Sequence, residues 1–240
     1  MSKIKFKIKT ESNLMIGGNE GSFEIGGIDQ QAVVRRVGDK ELPYIPGSSF
    51  KGALRKVVRD YPCEKIRIMY KQHLNEGLEK HQRYIEKKQQ ELTGRDQSEL
   101  EKEIKKFEKI VKAHIELGAE CLFGLEGFNR SPRLLFSDLH LDERSIEKGS
   151  YFSIDAKNSI KDEQGKKLEA NPRVYKVARK DLVFEGEINF QYFNQDFDET
   201  LIRAYIEQQL KQFNDGQYRL GNSKSRGYGK ISIEIERCDS

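Results

Sequence analysis

Residues 45–55, Ile-Pro-Gly-Ser-Ser-Phe-Lys-Gly-Ala-Leu-Arg, constrain the fold most, because they fix where a helix begins and which side of it is buried. Pro46 and Gly47 interrupt the preceding segment, and a following serine can cap the first free N–H groups. Apolar residues then recur at helical spacing, at Phe50, Ala53, Leu54, Val57 and Val58. The pattern predicts an amphipathic helix over residues 48 to about 60.

A different face of this predicted helix is basic, because Lys51, Arg55 and Arg59 recur at every fourth residue. The exposed amides and the dipole of a helix N-terminus attract negative charge. We therefore expect the start of this helix to bind phosphate groups. The candidate ligands are Gly47, Ser48, Ser49, Lys51 and Arg55. An ordinary amphipathic helix with a solvated basic side is the alternative that these residues leave open.

Residues 221–230, the glycine-rich loop, hold three glycines, three cations and one tyrosine. Glycine lets backbone amides approach a phosphate closely, and lysine or arginine supplies charge. Alternating isoleucines follow at 231, 233 and 235, so the loop leads into a strand and is no Walker A motif. The candidate ligands are Lys224, Arg226, Gly227 and Tyr228, the last either stacking on a base or filling the adjacent core. A glycine-rich hairpin turn is the alternative.

Periodicity elsewhere places other elements around the first helix. Residues 4–8, 134–141, 184–192 and 231–235 have strand patterns, and residues 201–210 have the spacing of a second helix. The order β-α-β-β-α-β is that of the α+β, ferredoxin-like fold, which RNA-recognition motifs also use. Residues 62–118 interrupt this order, and we predict that they form a helical hairpin. Ser98 and Glu101 are expected to form a capping box.

Four further motifs occur between these segments. They are Gly26-Gly27-Ile28-Asp29, Cys121-Leu122-Phe123-Gly124, residues 131–138 and the segment from Ile154-Asp155-Ala156 to Asn171-Pro172-Arg173. With the two basic segments, and in this order over nearly the whole chain, they resemble the RAMP superfamily. Within it, the chain is most similar to the repeated backbone subunit of type III CRISPR effector complexes. The resemblance implies a single RAMP domain over residues 1–240, with a helical lid at 62–118 and an extended thumb loop at 150–182.

The resemblance also implies a function and its partners. The expected protein binds CRISPR guide RNA, other copies of itself and other type III subunits, and acts as an endoribonuclease that cleaves the paired target RNA at regular intervals in antiviral defence. Asp29 matches the cleavage residue of the family, whose reaction uses the ribose 2′-hydroxyl. The reaction needs a divalent metal ion, expected to be magnesium, that is not tightly bound. Arg173, in the thumb, is a further expected RNA ligand.

The residues leave other functions open. A lone carboxylate in a loop is usually a turn former, so Asp29 alone does not establish catalysis. The first alternative is a non-catalytic RAMP subunit, in a capping or scaffold position of the same complex. The second is a guide-RNA-processing endoribonuclease, which usually relies on a histidine base. The chain also departs from the family at residues 14–18, Leu-Met-Ile-Gly-Gly, where a histidine often precedes the first glycine pair.

Composition agrees with an RNA-binding protein of the cytoplasm. The net charge is only +4, but residues 156–180 carry eight basic and three acidic side chains, and residues 219–230 carry four basic and none acidic. The insertion is neutral, with ten of each sign over residues 73–118, and is either a lid or a solvated decoration. The three cysteines are odd in number and have no CxxC spacing, which predicts reduced thiols. Because no cysteines lie near the histidines at the spacing of a zinc site, the sequence does not predict one. No apolar run approaches membrane-spanning length, and no secretory signal is expected.

Overall fold

The computed structural model describes residues 2–17, 30–89, 95–115, 117–125, 128, 130–163 and 166–236. Within these residues the strands are β1 (Lys3–Thr10), β2 (Gln30–Gln31), β3 (Val34–Val37), β4 (Lys40–Pro43), β5 (Arg133–Phe136), β6 (His140–Leu141), β7 (Phe152–Glu163), β8 (Lys166–Ala178), β9 (Val183–Gln191) and β10 (Ile231–Glu236). The α-helices are α1 (Gly47–Asp60), α2 (Glu64–Gln89), α3 (Arg95–Ile115), α4 (Glu143–Glu147) and α5 (Glu199–Lys211).

The central sheet confirms the predicted ferredoxin-like core. Its strand order is β10-β1-β9-β5, with β6 also paired to β9. Counting β5 and β6 as the second strand of the core, this order is 4-1-3-2, and α1 and α5 lie at the two helix positions of the predicted sequence. Lysines alternate with buried apolar residues along β1, so one face of that strand is in the core and the other is open.

The predicted strand over residues 134–141 is two short strands. The regular strand is interrupted at residues 137–139, where two polar side chains accept hydrogen bonds from backbone N–H groups. Ser137 Oγ accepts from the backbone N–H of Glu187 at 2.9 Å, and Asp138 binds the start of α1. The sequence does not reveal such a break, because Leu134 before it and Leu141 after it are both buried.

The chain divides into two compact units. The β-rich unit comprises Lys3–Leu54, Phe136–Ile188 and Glu207–Ser240, and the helical unit comprises Met1–Ser2, Arg55–Leu135 and Asn189–Ile206. In the β-rich unit the core centres on Phe50 of α1, whose ring stacks on Phe6 at 5.1 Å between centroids and also contacts Phe213. The prediction of one domain over residues 1–240 stays a prediction.

In the helical unit, α2 and α3 form the predicted helical insertion. The ring of Tyr70 is buried against Phe197, and its hydroxyl donates to the carbonyl of Pro132 at 2.6 Å. The predicted capping box is wrong, because α3 begins at Arg95 and Ser98 already lies inside the helix. Whether the pair acts as a lid stays a prediction.

The expected thumb loop is instead a regular antiparallel ribbon of β7 and β8, the thumb ribbon. Its register runs from Phe152 opposite Ala178 to Glu163 opposite Lys166, with one irregularity near Lys161. Long polar strands lack the hydrophobic alternation that identifies a half-buried strand, so sequence reasoning predicted a loop here. Sequence reasoning also missed the small hairpin of β3 and β4, whose turn contains Gly38 at a φ of +58°.

Replacing Phe50 by alanine should lower the free energy of unfolding by about 3–5 kcal/mol, because the removed ring leaves a cavity between fully buried aromatic neighbours. Urea denaturation followed by circular dichroism measures the change. The matched control is Ile154→Ala on the thumb ribbon. Because Ile154 is 70% exposed, this change should lower the free energy of unfolding by less than about 0.5 kcal/mol. A Phe50→Ala loss as small as that of the control would contradict this packing.

Candidate nucleic-acid interface

The start of α1 is capped by a carboxylate rather than by a serine. The helix begins at Gly47, whose backbone N–H donates to Asp138 Oδ1 at 2.8 Å. A negative side chain at this position is favoured by the helix dipole. The sequence prediction placed the cap at Ser48 or Ser49, and these serines lie within the first turn instead. One of the amides expected to face a phosphate is therefore already occupied.

Gly47 is required by close packing against the protein itself. A Cβ at this position would lie 2.7 Å from the carbonyl oxygen of Ser137 and 2.8 Å from that of Phe136. Any side chain would push the first turn of α1 away from the strand break. Ser48 is exposed, whereas Ser49 and Lys51 are half-buried. Ser48, Ser49 and Lys51 thus remain the candidate phosphate ligands of this turn.

The predicted basic stripe of α1 is partly neutralised further along the helix. In the helical unit, Arg55 Nε lies 3.4 Å and Arg59 Nη2 lies 2.9 Å from the same oxygen of Glu120. Hydrogen bonding to the Glu120 carboxylate raises the pKa of Arg59. Because Glu120 holds both guanidinium groups, Arg55 is less suited to bind a phosphate than the sequence indicated.

The glycine-rich loop has a single 3-10 turn, Lys224–Arg226, that places its cations outside the core. Ser223 precedes this turn and Gly227 follows it, both in the left-handed region, with φ values of 56° and 94°. The side chains of Lys224 and Arg226 are exposed. The loop thus presents both predicted cations at the surface of the β-rich unit.

The glycines of this loop serve its own conformation. A Cβ at Gly229 would lie 1.8 Å from the carbonyl oxygen of Leu220, and one at Gly221 would lie 2.3 Å from that of Met15. At Gly227 no atom lies within 4 Å of a Cβ position, so only its positive φ favours glycine. The hypothesis that a phosphate closely approaches Gly227 stays a prediction, and the positive φ is a second reason for glycine at this position.

Tyr228 fills the core, which is the second of the two predicted roles for this side chain. Its ring is 8% exposed and packs with Met15, Tyr175 and Val177. Its hydroxyl donates to Asp155 Oδ2. Burial, and then the hydrogen bond to Asp155, raise the pKa of the Tyr228 hydroxyl. A buried ring cannot stack on a base.

Asp155 joins three segments of the β-rich unit through contacts that sequence reasoning missed. Besides Tyr228, its carboxylate accepts from Asn13 Nδ2 at 3.2 Å and from Ser153 Oγ at 2.9 Å. The thumb ribbon, the 11–17 segment and the glycine-rich loop therefore meet at one carboxylate. The sequence carries no signal for this meeting, because Asp155 and Tyr228 are 73 residues apart.

Asp29 lies outside the described residues, but the chain on both sides of it is anchored. Gly17 forms a bridge with Ala32, and β2 pairs in parallel with β8 at Tyr175 and Lys176. A Cβ at Gly17 would lie 3.5 Å from Asn222 Nδ2 in the glycine-rich loop. The ends of the segment that carries Asp29 are thus held beside that loop and the thumb ribbon.

Backbone hydrogen bonds show which of the candidate residues lie near one another. Asn222 N–H donates to the carbonyl of Met15 at 2.6 Å, and Val33 N–H donates to that of Ile16 at 2.8 Å. The glycine-rich loop and the segment after Asp29 are therefore neighbours. The side chain of Arg173 also lies outside the described part of the chain, although its backbone belongs to β8.

The open sheet face of the β-rich unit differs from the base-stacking face of RNA-recognition motifs, which presents aromatic side chains. Here the exposed positions of β1, β9 and β10 carry ion pairs. Lys3 Nζ lies 2.9 Å from Glu187 Oε2, and Lys7 Nζ lies 2.7 Å from Glu185 Oε1 and 3.3 Å from a Glu236 oxygen. The Glu185 and Glu236 carboxylates raise the pKa of Lys7. This face is thus unsuited to stack bases.

The described residues lack the side-chain groupings that usually hold metal ions in proteins. No three of their histidine, cysteine, aspartate or glutamate side chains are grouped to hold a metal ion. Within this part of the chain, a divalent ion would therefore have at most two such side chains as ligands. Among the helices described, none is long and apolar enough to cross a membrane.

Comparison with known proteins places this geometry in a family. The family model of the RAMP superfamily matches residues 7–232. The chain belongs to the RAMP superfamily. A RAMP-related protein of Streptococcus thermophilus, named CRISPR system Cms endoribonuclease Csm3, is 26% identical over 244 residues, which cover 97% of this chain and 88% of that protein.

A solved structure supports the RAMP fold. It is a cryo-EM structure of the type III-B Cmr-beta bound to cognate target RNA, and one of its chains matches with a TM-score of 0.56 at 16% sequence identity. The match covers 98% of this chain but only 59% of that one, so this chain spans less than two thirds of the length of its structural neighbour.

Two substitutions in the glycine-rich loop should have different effects. Gly229→Ala should unfold the loop or lower the melting temperature strongly, because the methyl group overlaps the Leu220 carbonyl. Gly227→Ala should lower the free energy of unfolding by only about 1–2 kcal/mol, which is the cost of holding alanine in the left-handed backbone region. Differential scanning calorimetry measures both.

The control is Gly52→Ala in α1, where a Cβ meets no atom within 4 Å and alanine should stabilise the helix by about 0.5–1 kcal/mol. Equal losses at Gly227 and Gly229 would show that the carbonyl contact does not fix the loop.

Proposed function

We propose that this chain is a guide-RNA-binding backbone subunit of a type III CRISPR effector complex, and that it cleaves the target RNA paired to the guide. The observation that carries the proposal is the exposed pair Lys224 and Arg226 on a loop that adjoins the thumb ribbon and the ends of the Asp29 segment. The named Csm3 relative, matched over nearly the full length of both chains, supports the same function.

RNA binding is proposed to be electrostatic and largely independent of sequence. Lys224 and Arg226 bind phosphate groups at the glycine-rich loop, and Ser48, Ser49 and Lys51 bind them at the first turn of α1. Contacts of this kind position a strand without reading its bases. Asp155 keeps the glycine-rich loop in place beside the thumb ribbon, so that its cations meet the RNA in a fixed geometry. Partners in the complex would be guide RNA, target RNA, further copies of this chain and other subunits.

Cleavage is proposed to depend on Asp29. The ribose 2′-hydroxyl of the target attacks the adjacent phosphorus, a new P–O bond forms, and the bond to the 5′-oxygen of the next nucleotide breaks. The Asp29 carboxylate would orient this hydroxyl and hold a divalent ion, expected to be magnesium. Such an ion, when bound, stabilises the negative charge that develops on the phosphate. Because the described residues contain no metal-ligand cluster, Asp29 and the RNA itself are the expected ligands.

Asp29→Ala should abolish target cleavage while guide and target affinity stay within about twofold, since the change removes no phosphate-binding cation. The assembled complex is incubated with labelled target RNA in magnesium, and products are separated by gel electrophoresis. Removing divalent ions with a chelator should stop the unaltered complex in the same way.

The matched control is Asp39→Ala, which removes an exposed carboxylate from the β3–β4 turn and should leave cleavage unchanged. An Asp29→Ala complex that still cuts at the normal rate and positions would make the chain a non-catalytic scaffold. Such a result would leave the RNA-binding part of the proposal intact.

A further inference from the structure

A cleft beside the base of the thumb ribbon has an excess of positive charge that the proposed function does not use. Its volume is about 430 Å³, and its lining comes from the 11–17 segment, the start of β7 and the turn before β9. The polar side chains that line it are Asn13, Lys148, Ser150, Ser153, Arg179, Lys180 and Asp181. We refer to it as the basic cleft.

The cations of the basic cleft differ from those of the neighbouring sheet face in their partners. Among the described residues, no carboxylate lies within ion-pair distance of Lys148 or Arg179, and Arg179 Nη1 donates to the hydroxyl of Ser150 instead. Asp181, the one acid of the lining, lies 3.6 Å from Lys9 and 3.9 Å from Lys180. On the sheet face, by contrast, Lys3 and Lys7 each have a carboxylate partner below 3 Å. The lysines of the sheet face are thus paired with carboxylates, whereas the cleft has three cations and only one acid in its lining and is net positive.

The wall of the basic cleft is fixed by the same contacts that fix the glycine-rich loop. Asn13 donates to Asp155 through Nδ2, while its Oδ1 accepts from the backbone N–H of Lys180 at 3.1 Å. Ser153 donates to the other oxygen of Asp155. Lys180 is therefore linked through Asn13 and Asp155 to Tyr228, next to the cations of the glycine-rich loop. A prearranged wall with cations on it is suited to bind an anion at low entropic cost.

We propose that the basic cleft binds phosphate groups of an RNA strand, as a second site beyond the ligands named above. This inference rests on the proposed function, because the ligand is the backbone of the same class of nucleic acid. Lys148 and Arg179 supply the charge, and the Ser150 hydroxyl, held by Arg179, contacts the phosphate oxygens. An RNA strand is favoured over the acidic sheet surface of another copy because Glu185, Glu187 and Glu236 on that sheet already have lysine partners.

The test compares two full-length variants that lose the same charge. Lys148→Gln/Arg179→Gln removes both unpaired cations of the cleft. The control, Lys5→Gln/Lys211→Gln, removes two exposed lysines elsewhere in the β-rich unit. Fluorescence anisotropy with a labelled, unstructured single-stranded RNA gives the affinity of each protein over a range of potassium chloride concentrations. Calorimetry checks that each variant is folded.

The cleft variant should bind more weakly at low salt, and its salt dependence should be shallower by about 1.4 in log–log slope, which is about 0.7 for each lost phosphate contact. The control should keep the slope of the unaltered chain. If the double variant does not fold, Lys148→Gln alone should give half of that change, since this side chain is exposed and has no ion pair within the described part of the chain.

Three results would overturn the inference. A cleft variant with the slope and affinity of the control would reject the second site while leaving the proposed function intact. Unchanged RNA binding with a loss of self-association in sedimentation velocity would assign the cleft to an acidic surface of another copy. If the unaltered chain shows no salt-dependent binding to RNA, the proposed function itself fails, and the cleft assignment fails with it.

Discussion

The candidate interface depends on the carboxylate of Asp155, which accepts hydrogen bonds from Tyr228, Asn13 and Ser153. Each donor belongs to a different part of the surface: the glycine-rich loop, the segment before the undescribed residues 18–29, and the thumb ribbon. A half-buried carboxylate with three donors is satisfied, whereas the loss of one partner leaves a polar group without compensation. The interaction therefore adds to the backbone hydrogen bonds among these three segments and helps to hold the loop that carries Lys224 and Arg226.

The second constraint is the start of α1. Gly47 allows the first turn to lie against the carbonyl groups of residues 136 and 137, and Asp138 caps that turn. The same aspartate that stabilises the helix lowers its attraction for phosphate, so the helix dipole is weaker as an anion site than the sequence suggested. In the proposed interface, phosphate binding would therefore depend on side chains, on Lys51 at this turn and on Lys224 and Arg226 at the loop. The predicted phosphate ligands are therefore not equally suited to bind RNA, because the Gly47 amide is already occupied by Asp138.

Local periodicity was sufficient to predict the elements of the core, and long-range contacts were not predictable. The helix through Phe50 and the strands around Ile8 and Ile233 follow from spacing alone, since buried residues recur with the period of each element. The cap from Asp138 to Gly47 joins residues 91 positions apart, and the Glu120 partner of Arg55 comes from a different element. Charge and glycine content drew attention to the glycine-rich loop, but Gly221 and Gly229 are required by carbonyl contacts that only the fold creates.

The most direct measurement is the identity of the RNA that accompanies the chain in cells. The tagged chain is expressed with its complex and a CRISPR array, purified under conditions that retain bound nucleic acid, and the extracted RNA is sequenced. The account predicts one population of short RNAs of defined length, each carrying array-derived guide sequence, and predicts its loss when Lys224 and Arg226 are both replaced by glutamate. Recovery of no RNA, or of fragments without any array-derived sequence, would contradict it.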